Sequence, residues 1–275
     1  MTITTNPADS TLPGVRFYHI VAARAGEWAL VGIQPLLAAA ILLAIWEAAV
    51  RITDFDPIKL PAPSAIGSTF YDLFSLLIAQ AGPTFWAALA GIVASAVIGI
   101  VLGTLVSYSK VVMETIYPTV IFFQLIPKVA LAPVFLLWFG KEIHTTILFS
   151  IFIAFFPILV ATISGLGATD RNFERMGTSL MATRLQVFIR IKFPFALPFI
   201  FSGLRIGVTF GIIGVILGEF MSAERGLGYV IMFAASNFET ALLLAAILLL
   251  LFVGIALFLI LMVIEWLIMS IYKVQ

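Results

Sequence analysis

Lys128 differs most in chemistry from its surroundings in this chain of 275 residues. It lies between Pro127 and Pro133 in a stretch that is otherwise almost wholly apolar. Proline removes a backbone donor and kinks a helix, and inside a bilayer the freed carbonyls must face protein or water. A cation beside such a break could attract an anion within a wet passage through a membrane. The alternatives are that Lys128 caps the freed carbonyls, pairs with Glu219, or reaches an interface.

Glu219 is a second candidate because it follows a run of small residues at helical spacing. The run consists of Gly203, Gly207, Gly211, Gly214 and Gly218. Small side chains on one face let neighbouring helices approach closely, although each glycine costs helix stability. Pathway lining by Gly207, Gly211 and Gly214, or a subunit contact, therefore competes with plain packing. A carboxylate facing a membrane interior is costly and often functional, so Glu219 is either a pathway or gate residue or a structural one.

The motifs of common enzymes are missing from the sequence. The Gly140-Lys141 pair is followed by Glu142, so no GxxxxGK[ST] phosphate cradle occurs. The histidines, His19 and His144, have no partner at a metal-ligand spacing, and there is no cysteine. We therefore expect no catalytic residue, no metal and no cofactor bound by this chain.

Composition indicates the elements that must position these residues. The chain is 62% hydrophobic and 11% charged, with a mean hydropathy of +1.17, whereas soluble domains carry about 25% charged residues. The net charge of +1 gives no reason to expect that the chain binds nucleic acid. At about 20 residues per span, the sequence predicts an all-α polytopic membrane protein with about six transmembrane helices. The apolar blocks are residues 30–50, 84–107, 115–139, 143–167, 195–220 and 240–268.

The remaining segments suggest a single membrane domain. Residues 1–29 form an N-terminal segment without a cleavable signal pattern, in which residues 15–28 are predicted to be an interfacial helix. Residues 30–275 form the membrane domain, with a short surface helix predicted at residues 64–80. Nine Lys and Arg residues fall on one side and four on the other, and the positive-inside rule then places both termini and the loop 169–194 in the cytoplasm.

The centre of the loop 169–194, residues 174–187, is amphipathic enough to form one helix about 21 Å long. Such a helix is a natural docking surface for a cytoplasmic partner. A solvated basic loop is the alternative.

Five motifs are spread over nearly the whole chain after residue 40. They are Trp46-Glu47 with Arg51, Leu60-Pro61-Ala62-Pro63-Ser64, Ile126-Pro127-Lys128-Val129-Ala130-Leu131-Ala132-Pro133 through Trp138-Phe139-Gly140, Gly203-Leu204-Arg205-Ile206-Gly207, and Glu219 with Arg225-Gly226-Leu227-Gly228. Together they resemble the permease subunits of binding-protein-dependent ABC importers, and within them the nitrate, sulfonate and taurine class.

The loop 169–194 resembles that family's coupling motif, Glu-Ala-Ala-x3-Gly-x9-Ile-x-Leu-Pro. Anchoring the motif on Pro194 puts Arg175, Met176 and Gly177 on the Glu-Ala-Ala positions and Met181 on the glycine. The resemblance implies that this loop couples the permease to a separate ATPase; we call it the coupling loop. Its predicted coupling residues are Glu174, Arg175, Gly177, Leu180, Met181, Arg184 and Val187.

The resemblance implies the permease of an ATP-driven importer in a bacterial inner membrane, which forms the pathway for a small solute. The class handles nitrate, sulfonates, taurine and pyrimidine or other aromatic compounds. The implied partners are a second copy of the chain, a cytoplasmic ATPase dimer that binds ATP and magnesium, and an extracytoplasmic solute-binding protein. Two rival hypotheses stay open here: an ion-coupled secondary transporter, and a membrane scaffold or enzyme.

Overall fold

The computed structural model describes residues 34–169, 171–222 and 224–272, and these residues form helices without any strand. Five of the described helices are long and apolar enough to cross a membrane, and a bent helix pair supplies a sixth crossing. The all-α prediction with about six spans is confirmed. The predicted interfacial helix at residues 15–28 lies outside the described residues.

The N-terminal unit, up to residue 65, contains the first span, α1 (Gln34–Thr53). Near its end, the Glu47 carboxylate accepts hydrogen bonds from Arg51 Nε at 2.6 Å and from the Ser64 backbone N–H at 3.0 Å. The Ser64 hydroxyl donates to the same carboxylate at 2.8 Å. Glu47 therefore ties the end of α1 to the first turn of the next helix across the Pro-rich connection.

The next two helices differ from the predicted boundaries. The short helix α2 (Pro63–Asp72) ends earlier than residue 80, and α3 (Phe74–Ser107) begins about ten residues before the predicted second span. Leu77 and Ala81 are buried in the first turns of α3, so apolar burial continues the helix past the polar Gln80 and through Pro83. The predicted surface helix at residues 64–80 is therefore wrong in its second half.

The third crossing is broken. It consists of α4 (Lys110–Gln124), a 3-10 turn (Lys128–Leu131) and α5 (Ala132–Phe139). The axes on either side of the break are bent by 79°. Pro127 immediately precedes the 3-10 turn, and Pro133 lies in the first turn of α5, where its missing N–H has no helical partner to lose.

The remaining described residues supply the other spans and the helices that connect them. These are α6 (Ile143–Gly167), α7 (Arg171–Ser179), α8 (Arg184–Val187), a π-helical turn (Phe188–Lys192), α9 (Phe193–Ser222), α10 (Leu227–Ser236) and α11 (Thr240–Tyr272). The short helix α10 was not predicted, because its residues lie between two apolar blocks and are too few to span a bilayer.

Helix α6 is the centre of the C-terminal unit and packs against both α9 and α3. The contact with α9 follows the glycine run, which lets the two backbones approach: a Cβ at Gly214 would lie 2.7 Å from the Cα of Ser150. The small residues of α3 meet the other side of α6 in the same way, since a Cβ at Gly103 would lie 2.7 Å from the Cβ of Thr162. Close helix packing in membranes relies on such residues.

Candidate functional site

At the break in the third crossing, Lys128 lies half-buried next to an aromatic side chain of α6. Its ammonium donates to the Gln124 carbonyl oxygen at 3.3 Å and lies 5.0 Å from the centre of the Phe156 ring. Cations interact favourably with such a ring face. Among the described residues Lys128 forms no ion pair, so the predicted alternative of a pair with Glu219 is not what the structure contains. The carbonyl contact resembles the predicted capping role, while Pro127 beside it is exposed.

Glu219 lies near the C-terminal end of α9 and is only 3% exposed. Its carboxylate accepts hydrogen bonds from the Thr84 hydroxyl at 2.8 Å and from the Gly228 N–H at 2.7 Å. The Leu227 N–H donates to Thr84 Oγ1 at 2.8 Å, and the Gly226 N–H donates to the Gln80 side-chain oxygen at 2.7 Å. Glu219, Thr84 and Gln80 thus satisfy backbone donors at the start of α10 that the helix itself leaves free.

We call this set of residues the outer clamp, after the side of the membrane on which the sequence analysis predicts it; it consists of Gln80, Thr84, Glu219 and the 226–228 turn. Gly226 has a φ of 110°, a left-handed conformation that an L side chain rarely adopts. A Cβ at Gly228 would lie 2.7 Å from the Cβ of Glu219, so this position also requires glycine. The clamp joins α3, α9 and α10 through a buried polar network.

The clamp lies beside an open cavity of about 670 Å³. Trp86, Lys141 and Arg225 contribute to the lining, together with Glu219 and Glu224. Its size is within the range of small-molecule pockets. The ends of α3, α6 and α9 next to the clamp therefore border a space of this size with charges of both signs.

The predicted pathway glycines occupy a different environment. Gly207, Gly211 and Gly214 are buried, and a Cβ at each would meet α6 or, for Gly211, Ile92 of α3. The structure therefore gives them the packing contact that the sequence analysis kept as the alternative. Their assignment to a pathway lining stays a prediction.

The coupling loop forms two helices where the sequence analysis predicted one. Helix α7 ends at Ser179, and Met181 follows with a φ of 59°, a left-handed conformation that costs a residue with a side chain about 1–2 kcal/mol. The Ala182 N–H donates to the Gly177 carbonyl at 3.1 Å, as in the common helix ending that has glycine at the left-handed position. Met181 thus occupies the position of the motif glycine and has a backbone conformation that glycine adopts readily.

Helix α8 begins with its own capping box. Thr183 Oγ1 accepts from the Gln186 N–H at 3.3 Å, and the Gln186 side chain accepts from the Thr183 N–H at 2.8 Å. Threonine followed three residues later by glutamine is a known signal for a helix start. The single helix predicted at residues 174–187 is therefore wrong, because a left-handed residue ends α7 and a capped threonine begins α8.

The predicted coupling residues separate into two groups. Gly177 and Val187 are buried against each other. A Cβ added at Gly177 would lie 3.0 Å from the Val187 side chain. Leu180 and Met181 are exposed, at 76% and 92%. Arg175 and Arg184 are also exposed, whereas the Glu174 side chain lies outside the described residues. Leu180 and Met181 thus lie together at the exposed tip of the loop.

Sequence reasoning missed the exposed apolar neighbours of this tip and the partners of Glu219. Phe173, Met176 and Leu185 add exposed apolar surface to α7 and α8, which the amphipathic pattern could have indicated. Gln80 and Thr84 are one helical turn apart in an otherwise apolar segment. Polar residues at that spacing lie on one helix face, and this spacing was the available signal for the outer clamp.

The described residues form a helical membrane unit with a broken span and an exposed connecting loop, and comparison with known proteins shows the class to which it belongs. Residues 95–270 match the family described as the binding-protein-dependent transport system inner membrane component. The chain belongs to this family. It is a permease subunit of an ABC importer and, like its family, a transmembrane subunit that is not itself catalytic.

Individual relatives agree over most of their length. The formylaminopyrimidine transport permease protein ThiX of Halalkalibacterium halodurans is 37% identical over 198 residues, which cover 72% of this chain and 79% of the relative. The riboflavin transport system permease protein RibX of Chloroflexus aurantiacus is 30% identical, with 80% and 82% covered. The taurine transport system permease protein TauC of Escherichia coli is 28% identical, with 76% and 78% covered. None of these relatives supports the ion-coupled alternative.

Proposed function

We propose that two copies of this chain form the translocation pathway and work with two cytoplasmic ATPase subunits and an extracytoplasmic solute-binding protein. Both termini and the coupling loop face the cytoplasm in this proposal, as the distribution of Lys and Arg indicates. ATP and magnesium bind to the ATPase partner, which supplies the chemical step. This chain moves its helices and makes or breaks no covalent bond.

The exposed tip of the coupling loop, together with its exposed apolar neighbours, is the observation that carries this proposal. Phe173, Met176, Leu180, Met181 and Leu185 are all more than about two-fifths exposed and lie in a loop rich in basic residues. Exposed apolar residues gathered in one patch mark an interaction site. A hydrophobic groove on an ATPase would bury them.

A continuous helical path leads from this tip to the outer clamp. The helical segment Arg184–Met221 has 38 residues, which corresponds to about 57 Å at 1.5 Å per residue. Glu219 at its far end holds the start of α10, and the buried contact of Gly177 with Val187 holds α7 at its near end. A displacement of the tip by the ATPase would therefore reach the outer clamp as a movement of α9.

We place Lys128 on the pathway at the broken crossing. Lipid-facing placement of a lysine near the bilayer centre costs about 2.5–3.5 kcal/mol on insertion scales, and the Lys128 ammonium is held by a carbonyl and an aromatic ring. Its exposed neighbours are Pro127, which immediately precedes the 3-10 turn, and Val129, which lies within it. Such a break in the helix at membrane depth must face protein or water. Glu219 is proposed as a residue of the outer gate, acting through the clamp.

The solute is proposed to be small, within the range that the relatives' names cover. Those names include a formylaminopyrimidine, riboflavin and taurine. The outer cavity, with a tryptophan and charges of both signs in its lining, suits a polar or heteroaromatic solute released by a binding protein. Screening the solute-binding protein against these compound classes identifies the solute directly.

The coupling proposal is tested by replacing Met181 with Asp and, as a matched control, with Asn. Aspartate and asparagine both tolerate the left-handed backbone, so the two variants differ mainly in charge. An unpaired charge in an apolar contact costs about 2–5 kcal/mol. We expect Met181→Asp to lower binding-protein-stimulated ATP hydrolysis by tenfold or more and to release the ATPase during purification. Met181→Asn should retain more of both.

The readouts are ATP hydrolysis by the reconstituted complex and the amount of ATPase that co-purifies with the permease. Unchanged stimulation and unchanged co-purification of the Met181→Asp variant would overturn the proposed contact.

A further inference from the structure

A second cavity, of about 300 Å³, lies at the opposite end of the helices from the outer clamp. It is bounded by the last turn of α3, the end of α6, and α8 with the π-helical turn that follows it. Its polar lining consists of Thr104, Ser107, Tyr108, Arg184 and Lys192, and the other three lining residues are apolar. Two cations and three hydroxyl groups thus surround the space, and no described lining residue carries a carboxylate.

Arg184 is the cation of this cavity that is open to a ligand. Within the described part of the chain its guanidinium forms no ion pair and no hydrogen bond. Guanidinium groups bind phosphate oxygens through two parallel hydrogen bonds. An anion with several oxygen acceptors is therefore the class of ligand that this lining suits.

The position of the cavity indicates the source of such an anion. Tyr108 lines the cavity and immediately follows α3, and Leu105 lies in the last turn of that helix; both are strongly exposed. Tyrosine is enriched at the boundary between the apolar bilayer core and the headgroups, and an exposed leucine one turn before it suits the apolar side of that boundary. On the orientation proposed above, this boundary belongs to the cytoplasmic leaflet, where basic pockets between membrane helices bind anionic headgroups.

We propose that this cavity binds the phosphate group of an anionic phospholipid from the cytoplasmic leaflet. The inference rests on the proposed orientation. The bound phosphate would connect two parts of the chain. It would accept hydrogen bonds from the hydroxyls of Thr104 and Tyr108 at the end of α3, and from Arg184 and Lys192 at the base of the coupling loop. It would hold the base of the coupling loop against the membrane helices, independently of the exposed tip that contacts the ATPase.

The test is lipid retention by the purified permease, measured by native mass spectrometry. Wild-type protein is titrated with phosphatidylglycerol, which is anionic, and with phosphatidylethanolamine, which is zwitterionic. The variants are Arg184→Gln, Lys192→Gln and the double variant. The matched control is Arg190→Gln, because Arg190 is an exposed cation of the same π-helical turn and does not line the cavity.

We expect wild-type protein to retain phosphatidylglycerol preferentially, and each cavity variant to bind it about fivefold more weakly. Arg190→Gln should bind like wild type. Lys192→Arg keeps the charge and should also bind like wild type. If Lys192→Gln does not assemble, lipid binding by Lys192→Arg still tests whether the charge at this position is sufficient. Equal retention of phosphatidylglycerol by wild-type and double-variant protein would overturn the proposal.

A soluble anion is distinguished by adding inorganic phosphate. Displacement of the bound lipid by millimolar phosphate would assign the cavity to a free anion and overturn the lipid assignment; we expect no displacement. Lipid retention is measured on the permease without its ATPase, whereas the coupling proposal is tested by ATP hydrolysis. A failure of one proposal can therefore be distinguished from a failure of the other.

Discussion

Lys128 has three ammonium donors, and the Gln124 carbonyl oxygen, 3.3 Å away, takes one of them. Replacing Lys128 with Met keeps much of the volume and the contact with Phe156 but removes the charge. If the residue contacts an anionic solute, uptake should fall roughly tenfold, as expected for loss of a charged hydrogen bond, while the complex still assembles and hydrolyses ATP. Lys128→Arg should preserve most uptake.

Two other outcomes of this experiment are informative. Loss of assembly in Lys128→Met would show that the carbonyl contact is structural. Unchanged uptake of the anion would remove Lys128 from the pathway.

Thr84 is the residue on which the outer clamp depends, because its hydroxyl both donates to Glu219 and accepts from Leu227. Thr84→Val keeps the shape and removes the hydroxyl, so a buried carboxylate and a buried N–H each lose a partner. We expect a cost of about 1–3 kcal/mol, seen as a lower melting temperature of the purified permease. Thr84→Ser retains the hydroxyl and should melt close to wild type. Equal melting of the Val and Ser variants would contradict this role.

Individual residues were predictable to different degrees. Glu219 could be recognised from sequence because a carboxylate near a glycine-rich span is unusual, but its side-chain partner, Thr84, belongs to α3, which is far away in the chain. The left-handed backbone at Met181 could not be recognised from its residue type, since methionine gives no such signal. Aligning the family motif placed a glycine there, and the structure shows why glycine suits that position.

At the scale of the elements, α6 and α9 behave as one packed pair because their backbones meet at the glycine run. Gly214→Ala should separate them, since the new Cβ would lie 2.7 Å from the Cα of Ser150, a backbone atom that cannot rotate away. We expect a melting temperature several degrees lower and loss of transport. Gly254→Ala in α11 is the control, because its nearest neighbour, Ile212 Cδ1, would lie at an ordinary 3.6 Å. Similar melting of the two variants would count against close packing.

Long apolar blocks predicted the spans well, whereas the breaks and short helices were predicted poorly. The block 143–167 coincides with α6, because apolar length alone determines a span. The division of the coupling loop depends instead on one left-handed residue and one capping box, and α10 depends on donors supplied by other helices. Hydropathy contains no information about either kind of contact.

At the scale of the whole molecule, the proposed orientation predicts which loops reach each side of the membrane. The native chain has no cysteine, so a single cysteine reports on its own position. Glu142→Cys, between α5 and α6, should react with a membrane-impermeant maleimide in intact cells stripped of their outer membrane. Ser179→Cys, in the coupling loop, should react only after lysis. Labelling of Ser179→Cys before lysis and of Glu142→Cys only after lysis would contradict the proposed orientation.

The central claim is that this chain transports its solute only when an ATPase drives it. The direct measurement is solute uptake into proteoliposomes that contain the permease with its ATPase, using a solute shown to bind the solute-binding protein. The account predicts accumulation that requires ATP and the binding protein, is lost with Met181→Asp, and needs no ion gradient. Accumulation by the permease alone, driven by a proton or sodium gradient, would contradict it.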